Sequence, residues 1–472
     1  MSEQLITSLA LLKVNWDRGR DYIENFVPFV VECLRLAPTD EISLPQVQSA
    51  MRENFGLTIP QGALKTILKR ASRRGYVTKT HGIFLRNTAV VGTFSLQAAR
   101  GDVLRLQEAV VTKLVAFCEQ RYKVSWSPEV AEVALLSYLR DRSTPILAAV
   151  VRGEDIPRPL AEVKHAEFLV NAFVANLHAS DPEGFRFLET MVKGSILASV
   201  LLYPDISAVT QKFEDVEVYF DSRLIFRAIG LATPSLHVAG RELVDLTYTE
   251  TARLRCFKHT FDEIWRILDA SARALRNPAQ IRRAYGEAVE YFVDANYSSS
   301  DVQLEMDKLE KKLESLHIQV RPKPGHAVHT GVNENRLESI LSEEVGYHSR
   351  EALLHDLDSL TAIHRLRRGE IPRRLETCRA VFLTSNNNLA RASARFFQEE
   401  YGDEPGAIPL CMHDHTFSTL IWLKTPLKAP DLPTKRMIAD CFAALNPSDA
   451  LWKAYLQEID RLQQRGNISE HD

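Results

Sequence analysis

The spacing of apolar residues changes along this chain and divides it into segments. Between Asp17 and Arg35 apolar side chains recur at helical spacing, which predicts an opening helix. From about 95 to 204 the same spacing repeats in blocks, which predicts consecutive amphipathic helices. Beyond Phe213, short apolar runs with strand character alternate with helical blocks. That alternation predicts a parallel α/β sheet with right-handed crossover connections.

A compact unit follows the opening helix. Ser43 can cap a helix over LPQVQSAMRENF, and Pro60 opens a second helix, QGALKTILKRASRRG, which Gly75 ends. Two short strands, YVTKT and IFLRN, come next and turn at His81 and Gly82. Two helices followed by a two-stranded wing predict a winged helix-turn-helix module in residues 1–90.

The second helix and the wing of this module are rich in cations. Between Gln61 and Arg86 there is no acidic residue. The cations that we assign to a nucleic-acid surface are Lys65, Lys69, Arg70, Arg73, Arg74 and Lys79. Four-residue spacing brings several of them to one side of the helix, where the phosphate backbone of DNA or RNA would lie. The alternative is a winged fold that docks on a partner protein and leaves these charges in solvent.

Residues 211–425 are predicted to hold the sheet, after an all-helical connector at 91–210 and before a C-terminal helical segment at 426–472. The predicted strands are VEVYF, ARLRCFKHT, IQVRP, AVFLTS and AIPLCMH, and a long helix rich in Lys and Glu is inserted before the third. Asp221 directly follows the first strand. Its carboxylate is therefore expected at the C-terminal edge of the sheet, where ligands of such sheets bind.

Other polar residues stand at strand ends or early in helices of the same segment. Glu263 lies in the first turn of a helix that Thr260 is predicted to cap, after the strand LRCFKHT. Asp356 and Asp358 stand early in a later helix, and Asn386 follows the strand AVFLTS. In any α/β domain such positions attract Asp, Glu and Asn as helix caps. Capping is therefore the structural alternative for all of them.

The order of these residues along the chain resembles the PIN domain over about Phe213 to Lys424. The resemblance implies an α/β fold in which a PIN-like parallel sheet carries clustered carboxylates that hold Mg²⁺ or Mn²⁺, usually to cleave RNA. Carried over residue by residue, Asp221 matches the first acid and Glu263 the second. One departure is the length of chain between the second and third acids, which exceeds that of small PIN toxins.

The third acid has two candidates. Asp358 is preferred, because Ala362 and Ile363 follow it four and five residues on, as is common in PIN domains. Asp356 is close enough to replace it. Either acid would complete a set of three carboxylates.

The fourth position of the resemblance falls on Asn386, an amide where many relatives carry an acid. The expected metal ligands are therefore Asp221, Glu263, Asp358 and Asn386. Thr384 and Ser385 match hydroxyls that orient the fourth position. Asp414, after the strand AIPLCMH, is a reserve candidate for the site.

Carboxylates suit this chemistry because hard divalent cations prefer oxygen ligands. Acids forced into one cleft repel each other until a cation neutralises them. A bound ion can polarise the scissile phosphate and lower the pKa of its water. Arg367, Arg368, Lys258 and His259 are candidates to hold substrate phosphates. The chain has no GxxxxGK[ST], GxGxxG or GxSxG motif, which disfavours nucleotide hydrolysis, Rossmann redox chemistry and serine hydrolysis.

Composition sets the context for these predictions. The chain has 472 residues, of which 45% are hydrophobic and 25% charged, and its net charge of −3 means that any contact with nucleic acid must use local patches. The 6 cysteines form no CxxC pair, which favours a reducing cytoplasm. There is no signal-peptide pattern, and no apolar stretch approaches the roughly 20 residues of a membrane span.

These features together predict a metal-dependent nuclease whose N-terminal module senses nucleic acid or a partner protein. RNA is the expected substrate in preference to DNA, a homo-oligomer is compatible with the helical segments, and the domain pairing is analogous to bacterial defence or toxin-like systems. The alternative is a non-catalytic DNA-binding regulator that keeps a degenerate PIN-like fold for assembly. The amide at Asn386 is the residue that supports this alternative.

Overall fold

The structure, a computed structural model, describes residues 8–13, 23–57, 59, 61–80, 83–93, 96–141, 166–198, 211–277, 287–325, 332–347, 349–402, 407–424 and 431–445. The chain forms two compact units, the first up to Gln211 with Trp422–Thr434, and the second Lys212–Ile421 with the residues from Lys435 onward. Pro60, the predicted turn at His81 and Gly82, and the end of the C-terminal helical segment lie outside the described residues.

The first unit begins with helices around a small antiparallel sheet. Its elements are α1 (Val27–Leu36), β1 (Glu41–Ile42), α2 (Leu44–Phe55), α3 (Gln61–Arg73), β2 (Val77–Thr80) and β3 (Ile83–Arg86). The strand order is β1-β3-β2. Strand β1 was not predicted, because a strand of 2 residues has no periodicity to detect and depends on its pairing with distant β3.

Local sequence explains where these helices begin and end. The backbone N–H of Ser43 donates to Gln46 Oε1 over 2.7 Å, which is one half of a capping box at the start of α2. Gly56 ends α2 with φ of 67°, and Gly75 follows α3 with φ of 78°, a left-handed conformation that favours glycine. The predicted cap and the predicted helix end at Gly75 are confirmed.

The rest of the first unit is helical in its described residues. The helices are α4 (Thr88–Val91), α5 (Gln97–Tyr122), α6 (Pro128–Asp141), α7 (Ala166–Ser180) and α8 (Pro182–Ala198). Apolar residues such as Leu114, Leu135 and Phe173 are fully or almost fully buried among them. Among the described helices of the whole chain, none combines the length and the apolar character needed to cross a membrane.

The second unit contains a sheet of five strands. They are β4 (Glu217–Phe220), β5 (Arg253–Phe257), β6 (Gln319–Arg321), β7 (Ala380–Thr384) and β8 (Cys411–His413). The helices between and after them are α9 (Ser222–Ala228), α10 (Pro234–Thr249), α11 (Lys258–Ala274), α12 (Glu287–Asp294), α13 (Ser299–Ser315), α14 (Glu334–Val345), α15 (Arg350–Leu366), α16 (Asn387–Tyr401), α17 (Asp414–Lys424) and α18 (Leu432–Leu445).

Every strand pair in this sheet is parallel, and the order is β6-β5-β4-β7-β8. The prediction of a parallel α/β sheet is therefore confirmed. From β4 the chain first builds outward to β5 and β6, and then returns to add β7 and β8 on the other side of β4. The order reverses between β4 and β7, so the C-terminal ends of these two strands flank the crevice in which open α/β sheets bind ligands.

A buried arginine ties the end of α15 to the sheet. Arg367 is fully buried, and its guanidinium donates to the carbonyl oxygens of Ala380 (2.7 Å), Ile408 (2.6 Å) and Pro409 (2.8 Å). The prediction that Arg367 holds substrate phosphates is wrong, because three backbone acceptors already take its donors. Arg368, the next residue, has φ of 58° and lies in the turn that leaves the helix.

Candidate functional site

Asp221 lies at the junction of β4 and α9, at the crevice between β4 and β7. Its backbone N–H donates to Leu383 O of β7 over 2.9 Å, which fixes the residue against the neighbouring strand. Its carboxylate accepts from Ser222 N over 2.7 Å and from Thr384 Oγ1 over 2.7 Å. Both oxygens are thus oriented from two strand ends, and the side chain is buried. Asp221 also caps α9, so the capping alternative holds for this residue.

Glu263 lies on α11, deeper in the helix than the sequence indicated. The helix begins at Lys258 with Phe257 as its N-cap, so the prediction that Thr260 caps it is wrong. Strand β5 passes directly into α11, and Thr260 lies inside the helix, where its hydroxyl is 3.3 Å from His355 Nε2. Glu263 is the sixth helical residue. A favourable contact with the helix dipole fades beyond the first turn and does not explain it.

The Glu263 carboxylate is partly buried among other charges. Its Oε2 atom is 3.4 Å from His355 Nε2, and within the described part of the chain it has no hydrogen-bond partner. Burial raises the pKa of this carboxyl above its ordinary value; the charges of Asp221 and Asp356 raise it further, while His355 and Ser222 oppose the rise. A buried carboxylate oxygen is costly unless a positive charge approaches it, and protonated His355 would supply such a charge here.

Asp356 joins the same cluster from α15. Tyr347 donates its hydroxyl to Asp356 Oδ2 over 2.8 Å, and His355 Nδ1 is 3.4 Å from Asp356 Oδ1. Burial raises the pKa of the Asp356 carboxyl, and the charge of Asp221 adds to this rise against the contributions of His355 and Tyr347. Asp221, Glu263 and Asp356 therefore act on one another electrostatically, and we refer to these three residues as the acid cluster.

Asp358 lies on another side of α15. Its carboxylate pairs with Lys323 Nζ over 2.8 Å, and its side chain is 46% exposed, against 14% for Asp356. Two residues along a helix turn the side chain by about 200°, so the two acids do not face one cleft. The sequence preference for Asp358 is accordingly revised in favour of Asp356, the alternative that was kept.

His355 was missed by the sequence reasoning, although it stands directly before Asp356. Its imidazole is buried between Glu263 and Asp356, at 3.4 Å from each. Burial alone would lower the pKa of His355, but the hydrogen bond with Asp356 and the charges of Glu263 and Asp221 raise it. The sequence signal was the HDLD run itself, in which only the two acids were considered.

The residues after β7 orient this edge of the sheet. Thr384 Oγ1 donates to Asp221 and accepts the backbone N–H of Asn386 over 3.0 Å. The Asn386 side-chain oxygen accepts from Asn388 N (3.1 Å) and Leu389 N (3.3 Å), so it caps α16. The capping alternative therefore holds for Asn386, because its Oδ1 already accepts two backbone N–H groups of α16.

Ser385, the other predicted hydroxyl, differs from Thr384. Its Oγ atom is buried and has no hydrogen-bond partner among the described residues. Ser385 follows Thr384 in the chain, but unlike Thr384 it donates no hydrogen bond to Asp221. The predicted orienting role is therefore seen for Thr384 and not for Ser385.

Asp414 belongs to a different cluster of the second unit. It is fully buried at the start of α17, where Arg436 Nη2 is 2.5 Å and Arg227 Nη1 is 3.9 Å from its Oδ2. Burial would raise the pKa of Asp414, but Arg436, then His413 and Arg227, hold it below the ordinary value. Asp414 is therefore not part of the candidate site, because the buried guanidiniums of Arg436 and Arg227 already compensate its charge.

Two neighbours of Glu263 that were candidates for phosphate contacts have different environments. Lys258 is exposed and forms an ion pair with Asp262. His259 is stacked on Phe257 and hydrogen-bonded to Ser359 Oγ over 2.8 Å. Burial lowers the pKa of His259 to about 4, so its ring is neutral near pH 7 and offers no positive charge to a phosphate.

The cations of α3 and β2 divide into two groups. Arg70 and Arg74 lie within 3.7 Å and 2.6 Å of Glu24, so their charge is partly compensated. The exposed cations outside that contact are Lys65, Lys69, Arg73 and Lys79. On α3 the three exposed cations are spaced by four residues and follow one face of the helix.

Among the residues that the structure describes, no group of three or more His, Cys, Asp or Glu side chains is arranged closely enough to hold a metal ion. Comparisons with protein-family models, with curated proteins and with solved structures found no match to this chain. What the chain does has to be inferred from the chemistry of its own residues.

Proposed function

We propose that this chain is a metal-dependent nuclease whose second unit is PIN-like and cleaves RNA phosphodiesters. The observation that carries the proposal is the acid cluster. Asp221, Glu263 and Asp356 come from three separate elements, and the charge of Asp221 raises the pKa of both other carboxyls. Perturbed carboxyls at the crevice of a parallel sheet are typical of a catalytic site.

The side-chain types of the acid cluster suit Mg²⁺ or Mn²⁺, although the three carboxylates do not lie close enough together in this structure to form a metal site. All three side chains offer carboxylate oxygen, which these ions prefer. Glu263 Oε2 is buried, and its charged neighbour is His355 Nε2 at 3.4 Å, so a bound ion would compete with this imidazole for the oxygen. A bound divalent ion would polarise the scissile phosphate and lower the pKa of its water.

The surrounding residues prepare this set. The two Asp221 oxygens accept hydrogen bonds from Thr384 Oγ1 and Ser222 N. The Tyr347 hydroxyl donates to Asp356 Oδ2, whereas His355 lies near the other oxygen, Oδ1. Orientation of ligands by such neighbours is what keeps a metal site rigid. Asn386 is left out of the proposed ligand set, because its oxygen caps α16.

The first unit supports a role in nucleic-acid contact. The order helix, strand, helix, helix and hairpin is compatible with the proposed winged helix, in which α3 would be the recognition helix. Exposed Lys65, Lys69 and Arg73 on α3 would meet phosphates there. The proposed division of labour is therefore recognition in the first unit and cutting in the second.

A non-catalytic DNA-binding regulator is the second candidate. It is favoured by Asn386, which serves as a helix cap, and by Asp221, whose two oxygens already accept hydrogen bonds. In that function the second unit would serve assembly, and the acid cluster would be a remnant. The two candidates differ in whether metal produces cleavage.

Incubation of the purified full chain with labelled single-stranded RNA and single-stranded DNA separates the candidates. We expect cleavage with Mn²⁺ or Mg²⁺, faster on RNA, and no cleavage in EDTA. Asp356→Asn is expected to reduce the rate by about 10²-fold or more, because it removes a charged ligand. Asp358→Asn, two residues along the same helix, is the matched control and is expected to cut within about twofold of wild type, since its exposed pair with Lys323 contributes little.

The outcomes of this comparison are distinct. DNA or RNA binding without metal-dependent cleavage would select the regulator. Equal losses in the Asp356 and Asp358 variants would contradict the assignment of the third acid while leaving the nuclease itself in place.

A further inference from the structure

A groove of about 1210 Å³ runs beside β5 and β6 in the second unit. It is lined by the end of α10, by both strands, by the first residues of α11 and by the last turns of α13. Small-molecule pockets usually enclose roughly 300–1,000 Å³. The size and the open lining of this groove therefore favour an extended ligand over a compact one.

The charges in the groove favour an anionic ligand. Its lining includes the exposed cations Arg253, Lys258 and Arg321 and the carboxylates Glu310 and Glu314. Arg255 also lines the groove, but it is buried and paired with Glu217. Arg253 and Lys258 are more than half exposed, and the acids paired with them, Asp215 and Asp262, are exposed as well. Exposed pairs of this kind are worth about 0–1 kcal/mol, so a phosphate can displace the acid at little cost.

A stacked aromatic pair stands in the same lining. The rings of Tyr248, at the end of α10, and His317, before β6, are 4.1 Å apart with an interplanar angle of 11°. Tyr248 is 50% exposed and His317 is exposed. Exposed flat rings beside cations are how proteins bind the bases of single strands, each stack being worth about 1–3 kcal/mol. An acidic peptide would use the cations but gain little from a stacking surface.

The groove and the acid cluster share helix α11. Lys258, which lines the groove, and Glu263 lie on the same helix, five residues and therefore about 7.5 Å of helix rise apart. Arg321 is paired in register with Phe257, so it also lies at the C-terminal edge of the sheet where Asp221 emerges. Arg321 and Lys258 therefore mark the end of the groove that lies at the same edge of the sheet as Asp221, although none of the three acids is among the residues that line the groove.

We propose that this groove is the path of the substrate, a single-stranded nucleic acid whose phosphates contact Arg253 and Arg321 and whose base stacks on Tyr248 and His317. This inference rests on the proposed function for the identity of the ligand, and it adds the route by which the strand enters the site. It also predicts a preference for single strands, because a base can stack on a side chain only when it is unpaired.

Binding without cutting tests the proposal. The full chain carries Asp221→Asn, which prevents cleavage, and Lys65→Ala, Lys69→Ala and Arg73→Ala, which remove the basic face of α3. Fluorescence anisotropy with a labelled single-stranded RNA of about 12 nucleotides, in EDTA, gives the affinity and its salt dependence. The groove variant adds Arg253→Gln and Arg321→Gln; the matched control adds Arg241→Gln and Arg336→Gln, exposed arginines of the same unit that lie outside the groove lining.

The groove variant is expected to bind about tenfold more weakly than the control, with a salt slope smaller in magnitude by about 1.4, the value for two lost phosphate contacts. Tyr248→Ala with His317→Ala is expected to weaken binding about tenfold without changing the slope. Equal affinities of groove and control variants would overturn the proposal. The proposal would also be overturned if the groove substitutions weakened the binding of a double-stranded RNA of the same sequence by the same factor.

The result stands apart from the test of cleavage. Groove-dependent binding with no metal-dependent cleavage in the wild-type chain would support the groove and reject the nuclease. Metal-dependent cleavage by the wild-type chain, together with normal binding and cleavage by the groove variants, would support the nuclease and reject the groove. Selective capture of an acidic peptide by the groove, with no RNA binding, would assign the surface to protein and contradict the inference.

Discussion

Replacing Asp221 by asparagine is expected to lower the rate of Mn²⁺-dependent RNA cleavage by about 10³-fold or more. Asp221 is the member of the acid cluster that acts on both other carboxyls, and its side chain is fixed from β7 and α9. Asparagine keeps the shape but offers one neutral oxygen, so a bound cation would lose a full charge. The measurement is the single-turnover rate with saturating Mn²⁺.

Thr384→Val is the graded companion of this variant. Valine preserves the volume of Thr384 and removes only the hydroxyl that donates to Asp221 Oδ2 over 2.7 Å. A neighbour that orients a metal ligand typically contributes about 10- to 100-fold. Thr384→Val is therefore expected to fall between wild type and Asp221→Asn. If Asp221→Asn cleaved RNA at the wild-type rate, the acid cluster would have no part in the reaction.

Replacing Asp414 by asparagine is expected to destabilise the second unit by about 3–5 kcal/mol, the usual cost of breaking a buried ion pair. Asp414 is fully buried, and Arg436 and Arg227 lie at 2.5 Å and 3.9 Å from its Oδ2. Neutral asparagine would leave Arg436 with a buried charge and, among the described residues, Asp440 at 3.3 Å as the acid that still opposes it. Urea denaturation of the full chain, followed by circular dichroism, measures the loss.

The control for this variant is Asp245→Asn. Asp245 pairs with Arg241 at the surface of α10, where both side chains are about half exposed. Its loss is expected to cost at most about 1 kcal/mol. An Asp414 variant as stable as the Asp245 variant would mean that the buried charges do not hold this part of the unit together.

The alternation of strands and helices was predictable because each carries a local signal. The apolar run VEVYF gives β4, and AVFLTS gives β7, with their polar termini at one edge. The boundary between β5 and α11 was misplaced, because no residue before Thr260 resembles a cap and the N-cap is Phe257. Strand β1 depends on pairing with Leu85 and Phe84, which no local pattern shows.

The sequence indicated which positions belong to the candidate site, but not which of their side chains come into contact. Asp221 follows from the end of its strand, whereas Glu263 was singled out although the start of its helix was misplaced. The choice between Asp356 and Asp358 depends on the rotation of α15 against the sheet. The sequence gives a helix its period but not which face it turns inward.

The same limit explains the residues that were assigned to the wrong place. Arg367 and Asp414 look like exposed functional charges when only the sequence is known. Their partners are backbone carbonyls 13 to 42 positions away and the side chain of Arg436, so only the folded chain shows them as buried structural groups. His355 was missed for the opposite reason, because its importance comes from Glu263, which lies on another helix.

Thermal unfolding with and without Mn²⁺ tests most directly whether the acid cluster holds a divalent cation. For a cation at about 100 times its Kd, wild type is expected to gain about 2.7 kcal/mol, which corresponds to a rise in Tm of about 5 °C or more. Asp358→Asn should gain as much, whereas Asp221→Asn and Glu263→Gln should gain almost nothing. An equal Mn²⁺-induced rise in all four proteins, or none in wild type, would contradict the account.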